Sequence, residues 1–506
     1  MLTNPDESEK QKKQFAIGEK AGDTDTGKVS PSQKPRLFKS QTGKGLTIGW
    51  ESIEKIIPLT LIGLCVFLII LRVTRVMPGI LATDEFEISR TIFIDAGIGG
   101  LLAVFAIVIS LTLMGIQFAS QEYTHRVMNT YLHSVMLWSM MVVYMATLLY
   151  NLYMTAFMKS PVNPIYADIS VIAQSLCLIM LIPHFIIAVI HLKPDFTIDR
   201  LLNSINTAYL NSIKDRLNSE NDRLPAEFDR LLPAVEIIEK CIERGDRATV
   251  RVGLNNLFAS YRRNVNPVNE EWAGKYYLDY FLRLGREAVI EADDDSIVQV
   301  LEILGKICQI SSSPTIIGIA VRNVRTIGSN ALKKEYEAGV EQMIDSLHKV
   351  VSTTDNSEIT ERIFDSYEEI ATKLFSQDKK QLILYFLTRL TELVEIMVEN
   401  NQTRKLERWI AIVENIGQQA VKQEIREVIH PVIRSFYEAG ILTAKKNLDI
   451  SHSIIESLVR IEHKIARTDR ELYGEINFAK QEIERQVKKH TEKEQAPPGI
   501  ETSDLW

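Results

Sequence analysis

Long apolar runs are confined to one part of the chain. Four of them occur, at residues 56–77, 92–118, 135–158 and 169–192. An α-helix rises about 1.5 Å per residue, so roughly 20 apolar residues cross the hydrocarbon core of a bilayer, which is about 30 Å thick. Lipid offers the backbone no hydrogen-bond partner, so such runs become helices. The pattern predicts a multi-pass integral membrane protein with a four-helix transmembrane domain over residues 51–194.

After residue 195 the apolar positions become periodic rather than continuous. One predicted helix shows an apolar face made by Val298, Leu301, Ile303, Leu304 and Ile307. This spacing is typical of amphipathic helices, and strand-like alternation is scarce. The chain is therefore predicted to be all-α, with a soluble helical domain over residues 195–490.

A weak internal repeat runs through this soluble part. Short similar segments begin at Leu284, Ile327, Ile370 and Ile416, which are 43, 43 and 46 residues apart. Periods of about 40–47 residues are typical of two-helix repeats of the HEAT or armadillo type, whose hairpins bury their apolar faces against one another. The period predicts such a repeat domain, and an irregular helical bundle is the alternative.

Both ends of the chain are polar. Residues 1–50 contain no apolar core of a signal peptide and too little apolar surface to fold, so we expect them to be disordered. Residues 491–506 follow a highly charged segment and are expected to be flexible. Basic residues accompanied by aromatic ones precede the first apolar run, at Lys34, Arg36, Lys39 and Lys44. They favour binding to anionic lipid headgroups, and the alternative is a solvated linker that only sets orientation.

Charge and cysteine content exclude several classes of protein. The formal net charge is −7, which argues against nucleic acid as a partner. The four cysteines lack the spacing of a disulfide framework or a zinc site. The sequence also lacks the common hydrolase, zinc-protease, kinase and phosphate-loop motifs. We therefore expect no enzyme activity, no catalytic or metal site and no cofactor.

The distribution of Lys and Arg around the apolar runs predicts the orientation. More of these residues lie on the side of the membrane that carries both termini, which favours a cytoplasmic location for both. Arg72 and Arg75 fall on the opposite side and weaken this bias. The prediction is a multi-pass protein of the plasma (inner) membrane with both termini in the cytoplasm.

Ionisable and amide side chains within the apolar runs are candidate functional sites because they are costly to place in lipid. In the predicted orientation Arg72, Asp95 and Asp168 share the outer side, so an ion pair between Arg72 and Asp95 is a candidate, with a functional or a purely structural role. Gln117 would lie at the inner edge. His184 follows a proline, and its alternatives are satisfying a freed carbonyl group, handling protons or ions, or binding a metal.

The segment between the second and third runs is the most distinctive. Residues 110–126 read SLTLMGIQFASQEYTHR, and Glu122 and Arg126 have the i, i+4 spacing of a helical ion pair at this elbow. The string resembles the signature of a prokaryotic family of predicted multi-pass membrane proteins of unknown function. The matching positions are Ser110, Leu111, Thr112, Leu113, Gln117, Ala119, Ser120, Tyr123, Thr124 and Arg126.

This resemblance covers about residues 90–200 and includes the last apolar run, where His184 is similar to a histidine of the family's last helix. The Asn-Asp-Pro motif of the family's soluble segment is missing here. Because the function of the family is unknown, the resemblance implies a membrane topology and no particular chemistry.

Three functions are compatible with these features. The first is a membrane-anchored scaffold or sensor that presents its helical domain to a cytoplasmic protein partner. The second is a channel or transporter lined by the intramembrane polar residues. It requires a homo-oligomer or a cavity between the helices, because four helices rarely enclose a pore alone. A membrane enzyme is the third and has the least support. The first function is the one we expect.

Overall fold

The structure is a computed structural model, and it describes residues 85–122, 135–157, 169–181, 193–217, 228–354, 356–465 and 469–495. Regular structure in these ranges is entirely helical, as the periodicity predicted. The first apolar run and the two predicted tails lie outside the described residues, apart from the last turn of the final helix.

The described helices follow one another closely along the chain. They are α1 (Glu85–Glu122), α2 (Val135–Phe157), α3 (Ile169–Leu181), α4 (Pro194–Asn203), α5 (Thr207–Leu217), α6 (Leu232–Glu243), α7 (Arg247–Asn264), α8 (Glu270–Ile290), α9 (Asp294–Ile310), α10 (Pro314–Lys333), α11 (Glu337–Thr353), α12 (Ser357–Ser376), α13 (Lys380–Glu399), α14 (Thr403–Lys422), α15 (Arg426–Thr443), α16 (Leu448–Ile465) and α17 (Arg470–Gln495).

Helices α1, α2 and α3 correspond to the last three apolar runs. Helix α1 continues beyond its run at both ends, because the flanking residues favour a helix and include no proline. Its segment Gly97–Met114 is apolar and long enough to cross a membrane, while the apolar stretches Met141–Phe157 and Ile169–Leu181 are shorter. In the described part of the chain one helix thus meets the length criterion, and four transmembrane helices are not established.

The surfaces of these three helices fit a lipid environment. Only 22% of the segment Gly97–Met114 is buried, whereas the core helix of a soluble protein would be mostly buried. Apolar side chains exposed on the three helices include Leu102, Ile107, Leu113, Met145, Leu149 and Leu152. Large exposed apolar surfaces of this kind mark contact with a membrane or a partner.

From α6 onward the helices form consecutive hairpins. The pairs are α6–α7, α8–α9, α10–α11, α12–α13, α14–α15 and α16–α17. The first helix of a hairpin packs against the first helices of its neighbours, and the second helices pack in the same way. One apolar core consequently runs without interruption from Ile198 to Ile483.

The turn inside each hairpin recurs at the predicted period. Ala292, Glu335, Asp378 and Glu424 have φ values of 59°, 65°, 51° and 57°, and each lies eight residues after the start of a predicted repeat segment. The residue after each turn returns a backbone hydrogen bond to the helix, as from Asp293 N to Ala288 O at 3.0 Å. This is the Schellman helix ending. The predicted period is therefore confirmed as a structural repeat of two helices.

The second residue of a repeat segment is small, and it allows helices of neighbouring hairpins to approach closely. A Cβ atom added at Gly285 would lie 2.8 Å from Ile327 Cγ1 of the next hairpin, which is too short for a carbon–carbon contact. Gly417 stands in the same relation to Ile461, whose Cδ1 would lie 2.8 Å away. At these two positions the glycine of one repeat thus receives the isoleucine of the next, which links the sequence period to packing.

Ion pairs between hairpins follow the same spacing. Arg283 pairs with Glu239 at 2.5 Å, Arg408 with Asp365 at 2.5 Å, Arg389 with Asp345 at 2.9 Å and Arg460 with Glu414 at 2.8 Å. Partly exposed pairs contribute about 0–1 kcal/mol each, so they stabilise the stack less than its apolar core does. Their value is in favouring one register between neighbouring hairpins.

The turns give a paired test of the repeat. We expect Gly245→Ala to lower, and Ala292→Gly to raise, the free energy of unfolding of segment 193–495 by about 1 kcal/mol, because an L side chain at positive φ is strained. Both residues occupy the same turn position, at φ 70° and 59°. Urea unfolding followed by far-UV circular dichroism measures the two changes.

The pair separates backbone strain from packing. No atom would come within 4 Å of a Cβ at Gly245, so a loss there reports the backbone alone. The continuous core from Ile198 to Ile483 is the reason to expect this segment to fold without the membrane helices. Changes of the same sign in the two variants would contradict the proposed strain.

Candidate functional site

Polar side chains are buried between the apolar helices α2 and α3. Asn151 and Ser170 are fully buried, and Gln174 is 7% exposed. The Ser170 hydroxyl donates to Asn151 Oδ1 at 2.5 Å, and Gln174 Nε2 donates to Ser170 Oγ at 3.1 Å. Asn151 Nδ2 has no hydrogen-bond partner among the described residues. These three residues form a polar cluster between two apolar helices, which we call the α2–α3 polar cluster, and one of its donors is unmatched among the described residues.

The cluster continues along the same pair of helices. Cys177 Sγ donates to Thr147 Oγ1 at 3.4 Å, and the Tyr144 hydroxyl donates to the Cys177 carbonyl oxygen at 2.5 Å. Polar residues thus lie on matching faces, at positions 144, 147 and 151 of α2 and at 170, 174 and 177 of α3. Hydrogen bonds across membrane helices contribute about 0.6–1.7 kcal/mol each.

Helix α1 closes the cluster from a third side. A Cβ at Gly97 would lie 2.7 Å from Gln174 Cδ, so α1 approaches the amide closely at this glycine. Gly99 and Gly100 have no atom within 4 Å of an added Cβ and are exposed. A larger residue at position 97 would therefore require the Gln174 side chain to move.

The predicted intramembrane residues are not brought together in the described part of the chain. Gln117 is exposed on α1, Asp95 is described by its backbone within that helix, and Glu122 is its last residue. The residues that lie outside the described ranges are Arg72, Arg126, Asp168 and His184. Their roles, including the ion pairs of Arg72 with Asp95 and of Glu122 with Arg126, stay predictions.

Sequence reasoning missed Asn151 and Gln174, because the one amide that it singled out was Gln117. Two signals were present. Asn151 and Gln174 interrupt apolar runs, and each has small polar residues three or four positions away on its helix. Asp95 and Asp168 each lie two residues before a member of the packed region, Gly97 and Ser170 respectively. The predicted acids therefore flank the cluster in sequence.

A second candidate site is a groove on the helical repeat. It has a volume of about 680 Å³ and lies across the first helices of three successive hairpins, α8, α10 and α12. The lining residues on α8 are Lys275, Asp279, Leu282 and Arg286, which recur at the spacing of one helix face. Those on the other two helices include Gly318, Ile319, Arg322, Thr326, Glu358, Ile359 and Arg362.

Positive charge in this groove is incompletely neutralised. Arg362 pairs with Glu358 at 2.7 Å. Lys275, Arg286 and Arg322 have no ion-pair partner within the described residues, and the two arginines are exposed. The chain as a whole carries a net charge of −7, so this groove has the opposite sign to the protein. We call it the basic groove.

No group of three or more His, Cys, Asp or Glu side chains is placed to hold a metal ion within the described ranges. The described cysteines, Cys177, Cys241 and Cys308, are buried and form no disulfide with one another. Burial raises the pKa of the Cys308 thiol to about 12, which makes that thiol a poor nucleophile near neutral pH.

The α2–α3 polar cluster yields a double-mutant prediction. We expect Asn151→Leu and Ser170→Ala to be coupled by about 1 kcal/mol, because each removes the same interhelical hydrogen bond. Unfolding of the full chain in detergent measures the coupling. Thr155→Val is the control, because it removes a hydrogen bond inside α2, from the Thr155 hydroxyl to the Asn151 carbonyl oxygen at 3.0 Å, and not one between helices. Additive losses for Asn151 and Ser170 would show that the bond does not tie the helices.

Comparisons with curated proteins and with solved structures carry no argument about the function of this chain. A search of curated proteins found no match. Similar solved structures include a circular tandem repeat protein with novel repeat topology, 13% identical with a TM-score of 0.25, covering 79% of this chain and 98% of the other. Another is the DHF58 filament, 15% identical with a TM-score of 0.18, covering 45% of this chain and 100% of the other. Neither similarity supports an argument at such TM-scores.

One protein family matches part of the chain. Residues 56–239 match the predicted membrane protein family DUF2254. The match begins with the first apolar run and reaches helix α6, so it is wider than the resemblance found in residues 90–200. This part of the chain is consistent with a family of predicted membrane proteins whose function is unknown.

Proposed function

We propose that this protein is a membrane-anchored scaffold or sensor whose helical repeat binds a cytoplasmic protein partner. The apolar helices would hold it in the plasma (inner) membrane, and no catalytic step is assigned to it. The observation that carries the proposal is the basic groove, which lies across three consecutive hairpins. Stacked helical repeats commonly bind partners along such extended surfaces.

The arrangement of charges supports a binding role for the groove. Arg283 and Arg325 lie on α8 and α10 and pair with Glu239 and Glu369 of neighbouring hairpins. Arg286 and Arg322 lie on the same two helices, line the groove and remain without an ion-pair partner among the described residues. Ion pairs between hairpins therefore explain Arg283 and Arg325. We propose that Arg286 and Arg322 bind the partner instead.

Photocrosslinking in living cells tests the proposal. We expect a photoreactive phenylalanine at Thr315, which lines the groove, to give a recurrent crosslinked product in the full chain. The same residue at Thr388, exposed on α13 outside the groove, is the matched control. Arg322→Glu should abolish the product from Thr315. Identical products from both positions, or no product from Thr315, would refute the scaffold function.

The proposal also includes the orientation. With both termini cytoplasmic, single cysteines at Thr83 and Ser160 should react with an impermeant thiol reagent in intact cells, and those at Ser40 and Ser503 should not. The measurement uses a background without the native cysteines. Labelling at Ser40 or Ser503 instead would place the termini on the outer side and exclude a cytoplasmic partner.

Direct lipid binding is a further part of this proposal. The basic residues Lys34, Arg36, Lys39 and Lys44 would strengthen attachment to anionic headgroups on the cytoplasmic side. Removing their charges should weaken association of the amino-terminal segment with anionic vesicles.

A channel or transporter is the second candidate function. The observation in its favour is the fully buried Asn151, whose Nδ2 donor is unmatched within the described residues. A homo-oligomer would be needed to enclose a pore lined by residues such as Asp95, Gln117, Asp168 and His184. Ion flux into liposomes containing the purified protein tests this function, and Asn151→Leu should reduce flux if the cluster lines the path.

A further inference from the structure

The length of the basic groove is set by helix α8. Lys275 and Arg286 are 11 residues apart in the sequence, which places them on one face of the helix. At 1.5 Å per residue their backbones are about 16 Å apart along the helix axis. An extended peptide rises about 3.3 Å per residue and its side chains alternate between two faces, so side chains four residues apart face the groove together. They span roughly 13 Å, which is within reach of the two long basic side chains.

The centre of the groove is apolar. Leu282 on α8, Ile319 on α10 and Ile359 on α12 line it between the positive ends. Leu282 and Ile319 are partly exposed, so each offers apolar surface to a ligand. Burial of such surface contributes about 25 cal/mol per Å².

Acidic residues in the lining limit the kind of anion that fits. Asp279 lies one turn from Lys275 on α8, and Glu358 lies beside Arg362 on α12. A uniformly charged polyanion would meet these carboxylates and the apolar centre, and both contacts would be unfavourable. A peptide that carries separated carboxylates avoids both.

We infer that the basic groove binds an acidic peptide segment of a partner, with carboxylates about four residues apart and an apolar side chain midway between them on the same face. One carboxylate meets Lys275 and the other meets Arg286, with Arg322 of α10 lining the same groove, while the apolar side chain lies over Leu282 and Ile319. This inference rests on the proposed scaffold function and adds the chemistry of the segment that is recognised.

Fluorescence anisotropy with the full chain in nanodiscs of zwitterionic lipid tests the inference. The probe is a labelled peptide with Asp at positions one and five and Leu at position three. We expect binding that weakens with added salt and falls at least about tenfold, or roughly 1.4 kcal/mol, in Arg322→Glu. Arg286→Glu is a second groove variant from a different helix and should show the same loss.

Arg251→Glu is the matched control, because Arg251 is exposed on α7 and does not line the groove. It should leave binding unchanged. Equal binding of a peptide with Lys in place of Asp would overturn the inference. So would displacement of the probe by millimolar inorganic phosphate, since that would indicate a simple anion site.

The result also separates this inference from the scaffold function. If the peptide fails to bind while the crosslink from Thr315 persists and needs Arg322, the scaffold function stands and the acidic peptide is the wrong ligand. If the peptide and the crosslink both fail, both proposals fall.

Discussion

Burial of apolar helix faces between successive hairpins is the interaction on which the described repeat depends. A single hairpin cannot remove its apolar stripe from water, so each must be covered by the hairpins before and after it. The core that results runs from Ile198 to Ile483. Close approach at Gly285 and Gly417, where the isoleucine of the next hairpin fills the space of a side chain, sets how tightly the units stack.

Electrostatics acts on this stack as a secondary influence. Ion pairs such as Arg283–Glu239 and Arg389–Asp345 join neighbouring hairpins at the repeat spacing. They are partly exposed, so water and salt weaken them and they favour a register rather than provide most of the stability. Arg286 and Arg322 line the basic groove and have no ion-pair partner among the described residues, so this groove is the strongest candidate for partner binding.

In the apolar helices α1 to α3, hydrogen bonds help to determine how the helices pack. Between lipid-exposed helices the hydrophobic effect gives little preference for one packing over another, so small residues and polar contacts decide. Helix α1 approaches Gln174 closely at Gly97. Ser170 of α3 donates a hydrogen bond to Asn151 of α2 and accepts one from Gln174. A buried donor without a partner costs free energy, and Asn151 Nδ2 has none among the described residues. That cost makes the α2–α3 polar cluster a candidate for more than packing.

The sequence by itself determined the all-α class, the apolar helices α1 to α3 and the two-helix period, because helical periodicity and apolar run length are local properties of the chain. The period was visible in the similar segments that begin at Leu284 and Ile327, since every hairpin must bury an apolar face against its neighbours. The groove and the polar cluster were decided by tertiary structure. Residues such as Lys275 and Arg322 are far apart in the sequence, and only the stacking of hairpins brings their helices to one surface.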